Sequence, residues 1–422
     1  MRYVTGISKL LLYIRIAVDV AIRYMFRMNP VQYVVFLRRA SILLCCFWHN
    51  KTVKMANGYK LQLYLPAYPS KAFFYTIDSK LLRKNPGPAT VVYSMTKACN
   101  YKCPHCYQRC DQGIDMSEQV LAETARKIHE AGVSMFDIEG GEPFLRFERL
   151  KKIFTVLDEE SEIWVNTHGG DVAAAQLKEL KSMGLLGLMV SIHSPQENLH
   201  DEFTGIPGSF KNACRTIKIA RELGLAVTIN SVLSAEQIES GLLDDLMELA
   251  KSLDCDFVQL IHPKPSGLWL SCEKQIHQSG EVVKAAREKH KQYNSHSFKD
   301  YPVLMAQVFE EDADCLGCTA GGVDRFYVNA AGEVQPCEFL NISFGNVNEE
   351  SFEKIFDRMR SCFSVPCSQW LCCSKSQEIA AMIEKYQPGS TPLKWQYTKE
   401  LVKDWNRGEP TKLYGRLGVY QK

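Results

Sequence analysis

From residue 90 onward, the hydrophobic positions of the chain alternate between two periods. Short apolar runs, which suit buried strands, are separated by longer stretches in which apolar residues recur every three or four positions, as on one face of a helix. The predicted strands cover residues 90–95, 134–139, 162–167, 186–192, 225–232 and 255–261. The predicted helices between them cover residues 117–131, 147–159, 172–183, 209–223 and 240–253. This order predicts an α/β fold, with six βα units forming a parallel sheet curled into a partial TIM-type barrel.

The first 50 residues are apolar and have a helical pattern. Residues 7–27 are almost continuously apolar, but Arg15, Asp19, Arg23 and Arg27 recur every four residues and would form one polar stripe. The stripe argues against a membrane span, because Asp19 would lie near the bilayer centre. Two interpretations remain. The helices pack on protein, or they form a basic amphipathic anchor in the membrane interface, which the excess of basic over acidic side chains favours.

Changes in pattern divide the chain into six segments. The predicted segments are an apolar helical segment (1–50), a short β-containing connector (51–88), the partial barrel (89–275), a helical linker (276–314), a cysteine-rich C-terminal domain (315–375) and a tail (376–422).

Composition restricts the class of protein. The 422 residues are 46% hydrophobic and 23% charged, which is enough to bury a large core. The net charge of +2 gives no argument for a nucleic-acid partner. Sixteen cysteines without a recognisable signal peptide indicate a reducing compartment and metal binding. We therefore expect a cytoplasmic protein, with residues 1–50 as a candidate for peripheral contact with the inner face of the membrane.

The most informative motif follows the first predicted strand. Cys99, Cys103 and Cys106 have the spacing Cys-x3-Cys-x2-Cys. Three thiolates on one loop can bind three irons of a 4Fe–4S cluster and leave the fourth iron open to a ligand. The alternative is a zinc knuckle, which would close its tetrahedron with His105 or Cys110.

A second motif ends the second predicted strand. Residues 140–143 read Gly-Gly-Glu-Pro. The glycines allow a backbone to approach a ligand closely, and Glu142 is placed to accept hydrogen bonds from a ligand ammonium group. A strand that ends in a glycine turn is common, so Gly140, Gly141 and Glu142 gain weight only together with the cysteines.

In this order, the two motifs resemble those of radical S-adenosylmethionine enzymes. The resemblance covers roughly residues 88–270, with a second match at about 315–373. It implies that the cluster on the three cysteines chelates S-adenosylmethionine and that one electron cleaves this cosubstrate to a 5′-deoxyadenosyl radical. That radical abstracts a hydrogen from an unknown substrate. A flavodoxin- or ferredoxin-type electron donor is also implied.

Later strand ends extend the resemblance. Thr167, Ser191 and Asn230 match positions that often contact the cosubstrate in this family, although capping of the strand ends is an equal alternative. Thr204 stands where relatives often carry an arginine, which leaves the anchor of the cosubstrate carboxylate open. Three histidines stay unassigned, since a lone histidine is more often a structural donor: His193, His200 and His262.

The C-terminal cysteines form a second group. The stretch 325–337 reads as a hairpin with an Asn-Ala-Ala-Gly turn, which would bring Cys337 beside Cys318. Cys318, Gly332 and Cys337 resemble the opening of twitch and SPASM auxiliary-cluster domains, although the later cysteine spacing departs from SPASM. The resemblance implies one auxiliary 4Fe–4S cluster, with a second cluster or a zinc ribbon as alternatives. The candidate ligands are Cys318 and Cys337 with two of Cys315, Cys367, Cys372 and Cys373.

The substrate class follows from what precedes the barrel. Residues 1–88 lack the winged-helix pattern of a leader-peptide-binding domain, so we expect a hydrophobic small molecule or lipid reached from the membrane surface. Maturation of a ribosomally made peptide is the alternative within the enzyme class. A non-catalytic iron–sulfur or zinc protein is the alternative outside it. An auxiliary cluster that accepts an electron from the substrate would make the enzyme an oxidoreductase.

Overall fold

The computed structural model of the chain describes residues 2–56, 58–270, 280–363, 368–405 and 409–420. The N-terminal region combines helices with a small three-stranded sheet. Its elements are β1 (Tyr3–Val4), α1 (Gly6–Tyr24), α2 (Pro30–Cys46), β2 (Thr52–Met55), β3 (Gly58–Lys60) and α3 (Lys71–Ile77), followed by a π-helical turn (Asp78–Leu82).

Seven parallel strands form the centre of the molecule and are ordered in space as in sequence. The strands are β4 (Thr90–Ser94), β5 (Met135–Glu139), β6 (Glu162–Thr167), β7 (Leu185–Ser191), β8 (Ala226–Val232), β9 (Phe257–Ile261) and β10 (Val303–Ala306). The connecting helices are α4 (Glu118–Glu130), α5 (Phe147–Phe154), α6 (Ala174–Ser182), α7 (Glu197–Thr204), α8 (Ser209–Glu222), α9 (Ala235–Glu239), α10 (Leu242–Ser252), α11 (Gly280–Tyr293) and α12 (Gln307–Glu310).

The structure confirms the predicted partial barrel. Each of the six predicted strands is present, with ends that differ by two residues or fewer. The prediction works because these strands are buried along their length and the helices between them bury one apolar face. The segment expected to be a helical linker, 276–314, also contains β10, whose four residues are too few to show a period.

The C-terminal region adds a hairpin to the same sheet. β11 (Arg325–Val328) pairs in parallel with β4, and β12 (Val334–Gln335) pairs antiparallel with β11. The predicted turn at residues 329–332 lies between them, with Gly332 at a φ of +90°. Five helices complete the chain: α13 (Phe352–Cys362), α14 (Leu371–Ser374), α15 (Ser376–Tyr386), α16 (Trp395–Val402) and α17 (Lys412–Leu417).

The N-terminal sheet closes the floor of the barrel. Tyr3, Val53 and Leu63 pack into one apolar cluster with interior residues of the strands, among them Trp164 and Phe257. All five side chains are buried. This packing covers the N-terminal ends of the parallel strands, at the end of the barrel opposite the motifs.

The N-terminal helices have one face on protein and another in solvent. The buried face includes Ile16, Val20 and Tyr24 of α1, which pack against α2, α3 and the C-terminal helix α17. Most large exposed apolar side chains of the described residues lie between residues 7 and 48, and Phe26 is 93% exposed. In the part of the chain that the structure describes, every helix is too short or too polar to cross a bilayer.

A buried ion pair joins the connector to the barrel. Lys60 of β3 contacts Glu162 at the start of β6, and their side chains are 0% and 5% exposed. Glu162 also accepts hydrogen bonds from the Trp164 indole at 2.8 Å and the Ala67 backbone N–H at 2.7 Å. The carboxylate is therefore fully coordinated, which is the condition under which a buried pair is tolerated.

Glu162→Gln should destabilise the protein by roughly 3–5 kcal/mol, because it leaves the Lys60 ammonium buried without a counter-charge. Urea unfolding followed by circular dichroism measures the change. The matched control is Glu159→Gln, since Glu159 pairs with Lys71 at side-chain exposures of 78% and 67% and should give no measurable change. Equal unfolding midpoints for the two variants would contradict the prediction.

Candidate active site

A cavity of about 1190 Å³, partly open to solvent, lies at the carboxyl ends of the parallel strands. Parallel strands all end at the same edge, so residues far apart in sequence meet there. Of the residues expected around the catalytic cluster and cosubstrate, eight line this cavity: Cys99, Cys103, Cys106, Gly140, Gly141, Thr167, Ser191 and Asn230.

The three thiols of the cysteine loop face the same cavity and one another. Burial, together with the charge of neighbouring thiolates, raises the pKa of Cys103 to about 12 and that of Cys106 to about 11. An isolated thiolate is unfavourable here, and bound iron would remove that penalty.

Two residues could supply the fourth ligand of the zinc-knuckle alternative. Cys110 does not line the cavity. The imidazole of His105 does, but its ring packs against His193 at 4.6 Å and Phe203 at 5.0 Å between centroids. Burial lowers the pKa of His105 to about 4, so the ring is neutral. His105 and His193 are therefore part of the cavity wall.

The two glycines of the second motif fit against the cysteine loop. A Cβ on Gly141 would lie 2.3 Å from the Ala98 carbonyl oxygen, and one on Gly140 would lie 2.6 Å from that of Thr96. The Gly141 N–H donates to the Thr96 carbonyl at 2.6 Å, and the Glu142 N–H donates to the Ala98 carbonyl at 2.7 Å. Glycine is therefore needed at both positions so that the backbone of residues 140–142 can lie against that of residues 96–98. This need is separate from any approach to a ligand.

The Glu142 side chain is enclosed by protein next to the cavity. Its carboxylate is fully buried and is not part of the cavity wall. It accepts hydrogen bonds from the Thr167 hydroxyl at 2.9 Å, the His168 N–H at 2.9 Å and the Phe144 N–H at 3.1 Å. Burial raises its pKa to about 7, while these donors oppose the rise. A direct contact with a ligand ammonium stays a prediction; in this structure Glu142 holds the end of β6 in place.

Of the other predicted strand-end residues, Thr167 caps its own strand, and Asn230 has a carbonyl oxygen without a hydrogen-bond partner among the described residues. Thr167 caps its strand end, since its hydroxyl accepts from the Gly169 N–H at 2.9 Å. The Asn230 amide donates to Asn166 Oδ1 at 2.8 Å, and the Asn166 amide donates to Asp137 Oδ1 at 2.6 Å. Asn230 Oδ1 has no hydrogen-bond partner among the described residues. That oxygen is available to a donor on a ligand.

Three acidic residues of the cavity wall are not among the site residues that the sequence predicts. Asp137, Glu139 and Glu338 all line the cavity. Burial raises the pKa of Asp137 to about 7 and raises that of Glu139, which also accepts from Gln108 at 2.9 Å. Carboxylates grouped in this way favour a cationic ligand. The sequence does indicate two of them, because Asp137 and Glu139 occupy alternate positions of the buried strand β5 and must point to the same side of the sheet.

The second group of cysteines meets at a separate, smaller cavity of about 330 Å³. Cys318, Cys337 and Cys372 line it, as predicted for an auxiliary metal site. Cys373 is hydrogen-bonded to Cys372. Cys315 does not line this cavity; its thiol lies near that of Cys46. Cys367 lies outside the described residues.

Two cations lie beside these thiols. Arg325 Nη2 is 3.9 Å from Cys337 Sγ and lowers the pKa of that thiol against the effect of burial. Lys264 does the same for Cys372. Positive charge at this position suits the thiolates of a metal centre. Phe339 lines both this cavity and the larger one, so the two sites share a wall residue.

Comparisons with known proteins agree with this arrangement. Residues 93–248 match the radical SAM superfamily, and residues 312–375 match the iron–sulfur cluster-binding domain called SPASM. The AdoMet-dependent heme synthase of Methanosarcina barkeri is 24% identical over 293 residues, which are 64% of this chain and 82% of the relative. The subtilosin biosynthesis protein AlbA of Bacillus subtilis is also 24% identical, over 68% of this chain and 64% of its own.

A solved structure supports the fold. Streptococcus suis SuiB bound to its precursor peptide SuiA superposes with a TM-score of 0.54 at 16% identity, covering 72% of this chain and 75% of the other. The radical SAM domain implies a 4Fe–4S cluster and S-adenosylmethionine, and the SPASM domain implies auxiliary iron–sulfur clusters. The chain is a radical SAM enzyme whose partial barrel is followed by a SPASM domain.

Proposed function

We propose that Cys99, Cys103 and Cys106 hold the catalytic cluster and that the substrate reacts in the cavity at the strand ends. The main support is that all three cysteines line the same cavity as the polar residues at the ends of β5 to β8. When bound, the cluster supplies the electron that cleaves S-adenosylmethionine to a 5′-deoxyadenosyl radical, which takes a hydrogen atom from the substrate. The chain supplies position and charge for this reaction.

Each part of the cavity wall has a role in this proposal. The acids Asp137 and Glu139 favour the sulfonium and ammonium charges of the cosubstrate. Asn230 Oδ1 and the Ser191 hydroxyl offer hydrogen bonds to its polar groups, and Thr167 supports the wall between them. The apolar floor under the cavity keeps water from a reactive radical.

For the C-terminal domain, we propose that Cys318, Cys337 and Cys372 bind one auxiliary cluster. Cys373, Cys367 and Cys315 are the candidates for its fourth ligand. The cations Lys264 and Arg325 would offset its negative charge. Because this site and the reaction cavity share Phe339 in their walls, the auxiliary cluster is well placed to receive an electron from a substrate radical. The net reaction would then be an oxidation, with a flavodoxin- or ferredoxin-type donor for the first electron.

For the substrate, we propose a hydrophobic molecule that reaches the enzyme at the membrane surface. The support is the exposed apolar face of α1 and α2, flanked by Arg15, Arg23 and Arg27. The names of the relatives do not point to a lipid; AlbA belongs to bacteriocin biosynthesis, and SuiB binds a precursor peptide. Peptide maturation is therefore the second candidate function.

The cluster assignment predicts the loss of one product. Anaerobically reconstituted protein given dithionite and S-adenosylmethionine should release 5′-deoxyadenosine, which chromatography measures. The Cys99→Ala, Cys103→Ala, Cys106→Ala variant should release none, because no iron remains to bind the cosubstrate. Cys214→Ala is the matched control, since Cys214 is half-buried on α8 away from both cavities. Full turnover by the triple variant would disprove the assignment.

The auxiliary site predicts a residual metal content. The triple variant should retain about four irons per chain with one auxiliary cluster and about eight with two. Further replacement of Cys318 and Cys337 by Ala should remove these irons. Iron and zinc are counted by inductively coupled plasma mass spectrometry. Zinc in place of iron would exclude a redox role for this site.

The membrane proposal predicts flotation with anionic vesicles that weakens as salt rises, because headgroup attraction is screened. Phe26→Ser with Val34→Ser should reduce flotation, since these side chains, in the turn after α1 and on α2, are 93% and 67% exposed. The matched control is Ile114→Ser with Leu199→Ser, exposed apolar residues elsewhere on the surface. If wild-type protein fails to float, or the two double variants float equally, this surface does not bind membrane.

A further inference from the structure

A second large cavity adjoins both the reaction cavity and the auxiliary cavity, and no cysteine lines it. Its volume is about 1070 Å³, part of it open to solvent. It lies between α2, α17 and the side of the barrel. Its apolar lining includes Leu43, Phe47, Leu81, Leu316, Leu413 and Leu417. We refer to it as the apolar chamber.

The charged side chains at the edge of the apolar chamber are already paired. Lys80 contacts Asp324, and Arg325 contacts Glu311 at 2.9 Å. These groups therefore present little free charge to a ligand. A peptide in the chamber would bring many backbone donors and acceptors that the leucine side chains cannot satisfy, and each unpaired group would weaken binding. A hydrocarbon chain has no such requirement.

The apolar chamber meets the reaction cavity at a polar neck. Tyr64, Gln259 and Gln307 line both cavities. The Gln259 amide donates to the Tyr64 hydroxyl at 2.6 Å. Gln259 and Gln307 are 4% and 6% exposed, yet their Oε1 atoms have no hydrogen-bond partner among the described residues. Buried amide oxygens of this kind indicate a donor supplied by a ligand.

We propose that the apolar chamber binds the hydrocarbon chain of a single-chain amphiphile. A hydroxyl head donates its one hydrogen to Gln307 Oε1, and an amine head donates to the Oε1 atoms of both Gln259 and Gln307. The head then projects from the neck into the reaction cavity, and the chain fills the space between α2 and α17. This inference rests on the proposed function, because it names the class of substrate that would react at the same catalytic site. It does not depend on membrane binding, which concerns the outer face of α1 and α2.

The test uses the reconstituted holoenzyme and a 16-carbon primary alcohol with a photoreactive diazirine in mid-chain. After irradiation, mass spectrometry should locate the label on α2 or on residues 413–417. Unlabelled 1-alkanols from 8 to 16 carbons should compete, and each added methylene should tighten binding about fourfold until the apolar chamber is full. Labelling spread over the surface, or competition independent of chain length, would overturn the proposal.

Two variants test the position of the ligand. Leu417→Trp should block the label, because Leu417 is 6% exposed and its replacement fills the apolar chamber. Leu82→Trp is the matched control on an exposed leucine and should label as wild type does. If Leu417→Trp does not fold, Gln307→Leu serves instead; it removes the acceptor and should weaken alkanol binding about fivefold. Unchanged labelling in Leu417→Trp, or unchanged affinity in Gln307→Leu, would overturn the proposal.

Release of 5′-deoxyadenosine by the wild-type protein is measured in parallel. If 5′-deoxyadenosine is released but labelling is not specific, the apolar chamber does not bind the chain, and the radical SAM assignment still stands. If labelling is specific but no 5′-deoxyadenosine is released, the assignment of the catalytic site is contradicted, and the proposal for the apolar chamber still stands. Displacement of the label by tetraleucine peptide, but not by 1-hexadecanol, would favour a peptide and overturn the amphiphile.

Discussion

The contact between two stretches of backbone, residues 96–98 and 140–142, determines the geometry of the reaction cavity. Two main-chain hydrogen bonds tie the end of β5 to the cysteine loop, and no side chain fits between them. A third glycine, Gly267, also lies against the cysteine loop. A Cβ on Gly267 would lie 2.6 Å from the Cys106 carbonyl oxygen. The cysteine loop is therefore held between two segments that can approach it only because they carry glycine.

Local patterns predicted the barrel and the strand-end residues, because burial periodicity and strand order suffice to place them. Thr167, Ser191 and Asn230 could be assigned to one edge of the sheet without any knowledge of packing. The orientation of Glu142 could not, since it depends on the Thr167 hydroxyl and the His168 backbone meeting it from the next strand.

Contacts between distant segments account for what the sequence did not reveal. Tyr64 enters the barrel from the N-terminal connector, and Glu338 enters from the SPASM domain. Nothing near Tyr64 in the sequence indicates a site, and Cys337 beside Glu338 indicates the auxiliary site instead of the reaction cavity. Among the C-terminal cysteines, Cys372 joins Cys318 and Cys337, whereas Cys315 lies near Cys46 of α2. Spacing alone could not separate these two outcomes, because the route of the chain after the hairpin is set by tertiary packing.

The pairing of β11 with β4 has a consequence for electron movement. The strand that precedes the cysteine loop and the hairpin that carries Cys337 are neighbours in one hydrogen-bonded sheet. The SPASM domain is thus not a separate body that could swing on a linker. Moving the auxiliary site away from the reaction cavity would require main-chain hydrogen bonds of the central sheet to break. If the auxiliary site accepts an electron as proposed, the distance that the electron crosses is a fixed dimension of the fold, and substrates of different size would meet the same acceptor at the same range.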